Sequence, residues 1–324
     1  MKTRELGTSG IQTSVIGLGT WVMGGWMWGG ADERKSIEAI QASIESGVSL
    51  IDTAPAYGFG IAEKIVGKAI KNYREKVVLA TKCGLIWHLK KGTHFFSADG
   101  HDVHRYLGKE AIRYDIEQSL KRMQTDYIDH YITHWQDATT PIEETMEELL
   151  KLKQEGKILS IGISNASPDE LKKYQESETV DAVQEKYNML DREIETAIVP
   201  LCQSSKVSVL SYASLATGLL SGKMGPDRKF EGDDQRIGNP RFTLENREKV
   251  STFLNQLSPM AEKYGLSTGQ LVISWTISQP GITFALCGAR TPEQAIENAK
   301  AGQVTLQSDD IQEINKQFQA SSIE

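Results

Sequence analysis

Leu50-Ile51-Asp52-Thr53-Ala54-Pro55-Ala56-Tyr57-Gly58 has the form of a buried strand that ends in an acid and turns sharply at a proline. The mostly apolar run from Val48 to Ile51 stops at Asp52, and Tyr57 follows five residues later on the turn. Parallel α/β proteins keep their chemistry at strand carboxyl ends of this kind. Taken alone, Asp52 is a strand cap and Tyr57 a packed aromatic. The balance shifts because the next two strands also end in polar residues. Lys76-Val77-Val78-Leu79-Ala80-Thr81-Lys82 closes on a lysine, and Tyr127-Ile128-Asp129-His130-Tyr131-Ile132-Thr133-His134-Trp135 carries a histidine near its end.

Outward from this stretch the chain alternates strands with helical patterns. Residues 1–13 predict a short hairpin around Gly7-Thr8-Ser9-Gly10, and residues 15–21 the first buried strand, whose Gly17 and Gly19 admit a close backbone or ligand. Asp32 or Glu33 opens a helix to about Gly47, with Ile37, Ile40 and Ile44 on one face. Helices are expected at 61–72, 108–124, from Pro141 to Glu155, and after Ser167-Pro168-Asp169-Glu170. Further strands are expected at 158–165, 180–188, 207–212 and 283–288. Helices at about 245–264, 267–278, 292–301 and 307–319 complete the pattern. Residues 84–107 read as a long irregular insertion, and 224–243 as a polar excursion. Eight strand–helix alternations imply parallel βαβ units and a (β/α)8 TIM barrel over residues 1–324, one domain with an N-terminal hairpin and extra C-terminal helices. The competing doubly wound sheet requires a G-x-G-x-x-G turn, and Gly58-Phe59-Gly60-Ile61-Ala62-Glu63 lacks the third glycine.

Composition narrows the function. The net charge of −7 is spread along the chain and argues against nucleic-acid and anionic-membrane surfaces. No apolar run approaches a membrane span, and Met1-Lys2-Thr3-Arg4-Glu5 lacks a signal-peptide core. Cys83, Cys202 and Cys287 are too few and too scattered for a disulfide framework or a thiolate metal site, so a reducing, cytoplasmic setting is expected. His101-x-x-His104 invites a metal reading, but no HExxH context supports it, and no metal is expected. The even acidic charge is compatible with a monomer or weak oligomer.

The pattern D-x-x-x-x-Y, then K, then H at the ends of strands 2, 3 and 4 resembles the catalytic tetrad of the aldo-keto reductase superfamily. The likeness spans essentially the whole chain. It includes G-L-G-T-W at 17–21, I-D-T-A at 51–54, A-T-K at 80–82, I-T-H-W at 132–135, G-I-S-N at 162–165, Q-x-x-Y-N at 184–188 and G-A-R-T-P-E-Q at 288–294. It is nearest to the bacterial general-stress type, with Gln136 standing where the family more often has proline, at the expected pocket rim.

The resemblance implies an NADPH-dependent oxidoreductase (EC 1.1.1 class) reducing aldehydes and ketones, sugar-derived carbonyls among them, with Asp52, Tyr57, Lys82 and His134 catalytic. The chemistry fits the residues. A free tyrosine, with a pKa of about 10, gives up its proton reluctantly. A neighbouring ammonium such as Lys82, held by Asp52, would lower that value, and His134 would orient the carbonyl oxygen.

On the cofactor side the resemblance implies Gly19, Thr20, Trp21 and Asp52 near the nicotinamide end, Ser164, Asn165 and Gln184 on the carboxamide, and Tyr212 stacked on the ring. Ser214 and the backbone of Leu215, Gly218 and Leu220 would cover the pyrophosphate, with Lys223 and Arg236 near. Gly288, Ala289 and Arg290 would meet the adenosine phosphate, and Gln294 and Asn298 the adenine. A guanidinium at a helix start suits a 2′-phosphate, so NADPH is favoured and NADH would bind more weakly. Trp21, Trp26, Trp28, Trp87 and Trp135 are the candidate substrate-pocket aromatics. Two alternatives stand beside this reading. One is a cofactor-binding regulatory subunit of the same fold. The other is a barrel aldolase using Lys82 as a Schiff base.

Overall fold

The computed structural model describes residues 1–321 and 323, so Ser322 and Glu324 of the expected domain lie outside the described residues. The chain opens with a hairpin, β1 (Thr3–Glu5) and β2 (Gln12–Ser14). The alternation then runs β3 (Ile16–Gly19), α1 (Glu33–Glu45), β4 (Leu50–Asp52), α2 (Ile61–Ile70) and β5 (Val78–Cys83). Three strands follow: β6 (Leu85–Ile86), β7 (Thr93–Ala98) and β8 (His101–Arg105). The alternation resumes with α3 (Lys109–Met123), β9 (Ile128–Thr133), α4 (Ile142–Gln154), β10 (Ile158–Ser164), α5 (Pro168–Ser177) and β11 (Ala182–Lys186). It continues through α6 (Ile198–Ser205), β12 (Ser208–Tyr212), α7 (Leu244–Gln256), α8 (Ser258–Lys263) and α9 (Thr268–Ser278). β13 (Phe284–Gly288), α10 (Pro292–Ala301) and α11 (Ser308–Ala320) end the fold.

The parallel strands close in the order β3-β4-β5-β9-β10-β11-β12-β13, and β13 pairs back onto β3. This is the expected (β/α)8 barrel. Its inside is filled by Leu50, Val78, Ala80, Ile132, Leu210 and Phe284, all buried. Leu6 of the hairpin joins them and plugs the amino-terminal end. Asp52, Lys82 and Ser164 therefore belong to the opposite, carboxyl-terminal mouth.

Local signals place the elements. Asp32 caps α1 by accepting from the Lys35 amide, and Ser167 with Glu170 forms a reciprocal capping box on α5. Three expectations change. The segment 84–107 is ordered as an antiparallel sheet, β6-β8-β7, and not irregular. A register shift between His94 and Phe96 breaks its alternation. The helix expected over 245–264 divides into α7 and α8 at Leu257, just before Pro259. The sixth strand is followed by α6, which the sequence pattern did not single out.

Candidate active site

Lys82 is fully buried in the barrel mouth, and Asp52 is nearly so. The Lys82 ammonium donates to both Asp52 carboxylate oxygens at 2.8 Å, to the Thr53 carbonyl at 2.9 Å and to the Tyr57 hydroxyl at 3.1 Å. Gln184 Nε2 donates to Asp52 Oδ1 at 2.9 Å. The β4–β5 register and the hydrophobic strand cores fix the Asp52–Lys82 pair. Tyr57 depends instead on its loop. Gly58 lies at φ +64°, and a Cβ there would sit 2.2 Å from the Gly24 carbonyl oxygen. A Cβ on Gly24 would in turn meet the Tyr57 carbonyl carbon at 2.6 Å. The two glycines let the tyrosine loop close against the turn after β3.

The Tyr57 ring stacks on Trp21 (centroids 6.1 Å apart) and stands edge-on to His134 (5.7 Å). Burial pushes the Tyr57 phenol above its ordinary pKa, and Lys82 opposes this without cancelling it. The ammonium acts in the expected direction, lowering the phenol, but desolvation of the enclosed ring outweighs it. Burial pushes Lys82 down, but Asp52 and Tyr57 more than reverse it, so the ammonium stays charged. Burial, reinforced by Lys82, drives His134 well below the usual imidazole range, leaving it neutral at pH 7.

Ser164, Asn165, Gln184 and Tyr212 come together beside this group in one hydrogen-bonded network. Ser164 Oγ donates to the Gln184 carbonyl (2.7 Å), Asn165 Nδ2 to the His134 carbonyl (2.9 Å), and the Tyr212 hydroxyl to Asn165 Oδ1 (2.7 Å). Gln136 braces the network from the β10 and α5 side. It donates to the Ser164 carbonyl at 2.9 Å and accepts from the Tyr174 hydroxyl at 2.8 Å. Gly19, Thr20 and Trp21 line the neighbouring strand end, where Thr20 Oγ1 donates to the Asp52 carbonyl at 3.0 Å.

Farther out, Ser214 is buried against the Leu286 carbonyl. Leu215 precedes a tight turn containing Gly218 and Leu220, whose side chain is buried. Lys223 is exposed and ion-paired with Glu297. Gln294 Oε1 accepts from the Arg290 amide at 2.7 Å, and Asn298 donates to the Gly288 carbonyl at 3.0 Å, so Gly288, Ala289 and Arg290 are braced by α10. Arg236 is committed to Asp234 through hydrogen bonds of 2.8 and 2.6 Å.

Trp28 stands edge-on to Trp21 (ring centroids 5.4 Å apart) and so adjoins the Tyr57 group. Arg236 lies 5.2 Å and Arg290 5.7 Å from its ring, and Arg290 Nη2 donates to its carbonyl at 2.5 Å. The loop carrying it is tied to the polar excursion by Met27 and Gly29 amides donating to Asp233. Trp28 therefore lies between the Tyr57–Trp21 group and the outer, arginine-lined part of the mouth. Trp26 stacks on Phe96 (5.0 Å), Trp87 meets Phe59 (5.3 Å), and Trp135 meets Phe95 (5.2 Å). Phe59, Phe95 and Phe96 are wall residues absent from the sequence-based set. Asp99-Gly100 was the available signal, a two-residue hairpin turn with φ of +48° and +77°. His101 packs at a tilt against Phe59 at 4.6 Å, whereas His104 lies beside His94 on the other face of β8, so the two histidines do not converge. Among the described residues no group of three or more His, Cys, Asp or Glu is arranged to hold a metal, and no helix is long and apolar enough to cross a membrane.

The family model described as "Aldo/keto reductase family" matches residues 15–318. The chain is 43% identical over 318 residues to aldo-keto reductase YhdN of Bacillus subtilis (strain 168), covering 97% of this chain and 93% of that one. It is 39% identical over 316 residues to the NADH-specific methylglyoxal reductase of Escherichia coli (strain K12), with 96% of each covered. The solved glycerol dehydrogenase AKR11B4 of Gluconobacter oxydans superposes with a TM-score of 0.89 at 35% identity, covering 99% of this chain and 96% of that one. A Klebsiella pneumoniae aldo-keto reductase solved with NADPH superposes with a TM-score of 0.74 at 29% identity, covering 98% and 95%. The barrel with its polar mouth is thus that of an oxidoreductase scaffold. The chain belongs to the aldo/keto reductase family.

Proposed function

We propose that this protein reduces aldehydes and ketones to alcohols, using NADPH in preference to NADH, with Tyr57 as the proton donor. The observation that carries the reading is the buried Lys82 ammonium, 3.1 Å from the Tyr57 hydroxyl and clamped by Asp52. When bound, the dinucleotide supplies the hydride. Tyr57 keeps its proton until an alkoxide develops beside it. An alkoxide is a far stronger base than a phenolate, so the raised phenol still transfers its proton downhill. The Lys82 ammonium then stabilises the phenolate left behind, and Asp52 fixes its position. Neutral His134 orients the carbonyl oxygen by hydrogen bonding and carries no charge of its own.

The cofactor assignment rests on fit. Asn165, Ser164 and Tyr212 offer amide, hydroxyl and ring surfaces at one end of the mouth. Arg290 offers cationic charge at the other, which suits a dinucleotide bearing an extra phosphate. The Klebsiella relative was solved with NADPH, while the E. coli relative is named as NADH-specific, so the preference needs its own measurement. A cytoplasmic, monomeric or weakly associated enzyme remains part of the reading. The Schiff-base alternative is disfavoured because Lys82 is ion-paired and held protonated, not desolvated as a free amine. The deciding experiment is a panel of aldehydes and ketones with NADPH and, separately, NADH oxidation as readout. Turnover of several carbonyls, faster with NADPH, is expected. Tight cofactor binding without turnover of any of them would favour the regulatory-subunit alternative.

A further inference from the structure

The antiparallel sheet over the mouth carries an arginine that no acid answers. Along β8, His101, Val103 and Arg105 alternate with Asp102 and His104. His101 packs at a tilt against Phe59, and Val103 is buried against Ala56 and Leu85, so this face is turned to the loop that carries Tyr57. Asp102 and His104 take the other face, beside Ser97 and His94. Arg105 is the third residue of the inner face. Its guanidinium lies 4.8 Å from the Phe95 ring, and Phe95 packs on Trp135, the residue after His134.

Three partly buried arginines, Arg4, Arg247 and Arg290, donate to backbone carbonyls, and most of the others hold a carboxylate. Arg74, Arg113, Arg122, Arg192, Arg236 and Arg241 each hold one. Among the described residues Arg105 has no ion pair, and its Nε is buried without an acceptor. A ring contact compensates little for a buried guanidinium N–H left without an acceptor. The missing partner is an anion delivered to the aromatic wall from the mouth. The guanidinium is hemmed in by the Phe95 ring, which suits a planar carboxylate that can take paired N–H donors.

We propose that Arg105 binds a carboxylate on the substrate, and that the enzyme favours aldehydes and ketones that carry one. This rests on the carbonyl-reductase reading and names its substrate class. The test compares 4-carboxybenzaldehyde with its neutral counterpart, methyl 4-formylbenzoate, in the parent, Arg105→Met and Arg105→Lys. Met keeps an unbranched apolar stem at a half-buried site, so the fold is expected to survive. The parent should show roughly a tenfold or greater preference for the acid, expressed in KM. Arg105→Met should abolish it while leaving turnover of the ester within about twofold, and Arg105→Lys should restore part of it. Equal treatment of acid and ester by the parent, or an unchanged ratio in Arg105→Met, overturns the proposal while carbonyl reduction stands. A stronger preference for 4-formylphenyl phosphate overturns the carboxylate assignment. Binding is read separately by tryptophan quenching with benzoate and with benzamide, which need no turnover. Benzoate binding that weakens about tenfold in Arg105→Met supports the proposal even if the reductase reading fails. Benzoate binding that is absent, or unchanged by Arg105→Met, removes it.

Discussion

Replacing Lys82 with Met separates structural from chemical roles. The ammonium makes four contacts of 2.8–3.1 Å, two of them to a carboxylate that is itself buried. Its loss strands Asp52 as an unpaired charge, which costs about 3–5 kcal/mol. For a chain of this size that corresponds to a fall in Tm of roughly 4–7 °C. Adding Asp52→Asn removes the stranded charge and keeps an oxygen for Gln184 Nε2, now 2.9 Å from Asp52 Oδ1. The double variant should therefore recover most of the lost Tm. Activity should not follow. Without Lys82 the phenol, already raised by burial, has no cation to stabilise its phenolate, and carbonyl reduction should fall by about 10²–10³ in both variants. Differential scanning fluorimetry gives the first quantity and single-turnover reduction the second. Recovery of turnover together with Tm, or a Lys82→Met enzyme retaining a tenth of the parent rate, would refute the assigned role of Lys82.

Two further outcomes are expected. Arg290→Ala should weaken NADPH binding by roughly one to two orders of magnitude and hardly move NADH, and Arg236 should rescue little because Asp234 already engages it; fluorescence titration of both cofactors checks this, and a parent that does not discriminate contradicts it. Burial lifts the Asp115 carboxyl to about 7, while its Oδ2 accepts from the Gly84 amide at 3.0 Å. The folded state then holds a proton that the unfolded chain releases, so this group adds stability as pH falls from about 7 towards 4 and penalises the fold above 7. Asp115→Asn should raise Tm by several degrees more at pH 8 than at pH 5; parallel Tm–pH curves for parent and variant would count against it.

The barrel was legible because each strand is short, apolar and ended by a turn residue, and Asp52, Lys82 and His134 were legible because they punctuate three successive strands. The insertion was obscured by its bulge at Phe95, which hid the alternation, although Asp99-Gly100 marked its turn. Gln136 follows Trp135 in the sequence, and its ties to the Ser164 carbonyl and the Tyr174 hydroxyl depend on tertiary packing that no local pattern encodes. Lys82 lowers the Tyr57 phenol as its charge implies, whereas the larger effect of burial is a property of the folded mouth that no pairwise view of the sequence carries. The contacts of Trp28 with Arg236 and Arg290 depend on a long-range tie between two loops through Asp233, which no local pattern encodes.

The central claim is that the Tyr57 hydroxyl delivers the proton. The most direct measurement is Tyr57→Phe, which removes one oxygen from a ring already held by Trp21 and leaves Lys82 paired with Asp52. Single-turnover reduction of an aldehyde by this variant with bound NADPH should slow by roughly 10²–10⁴, while NADPH affinity stays within about twofold of the parent. A Tyr57→Phe enzyme that reduces the aldehyde at near the parent rate would contradict the account.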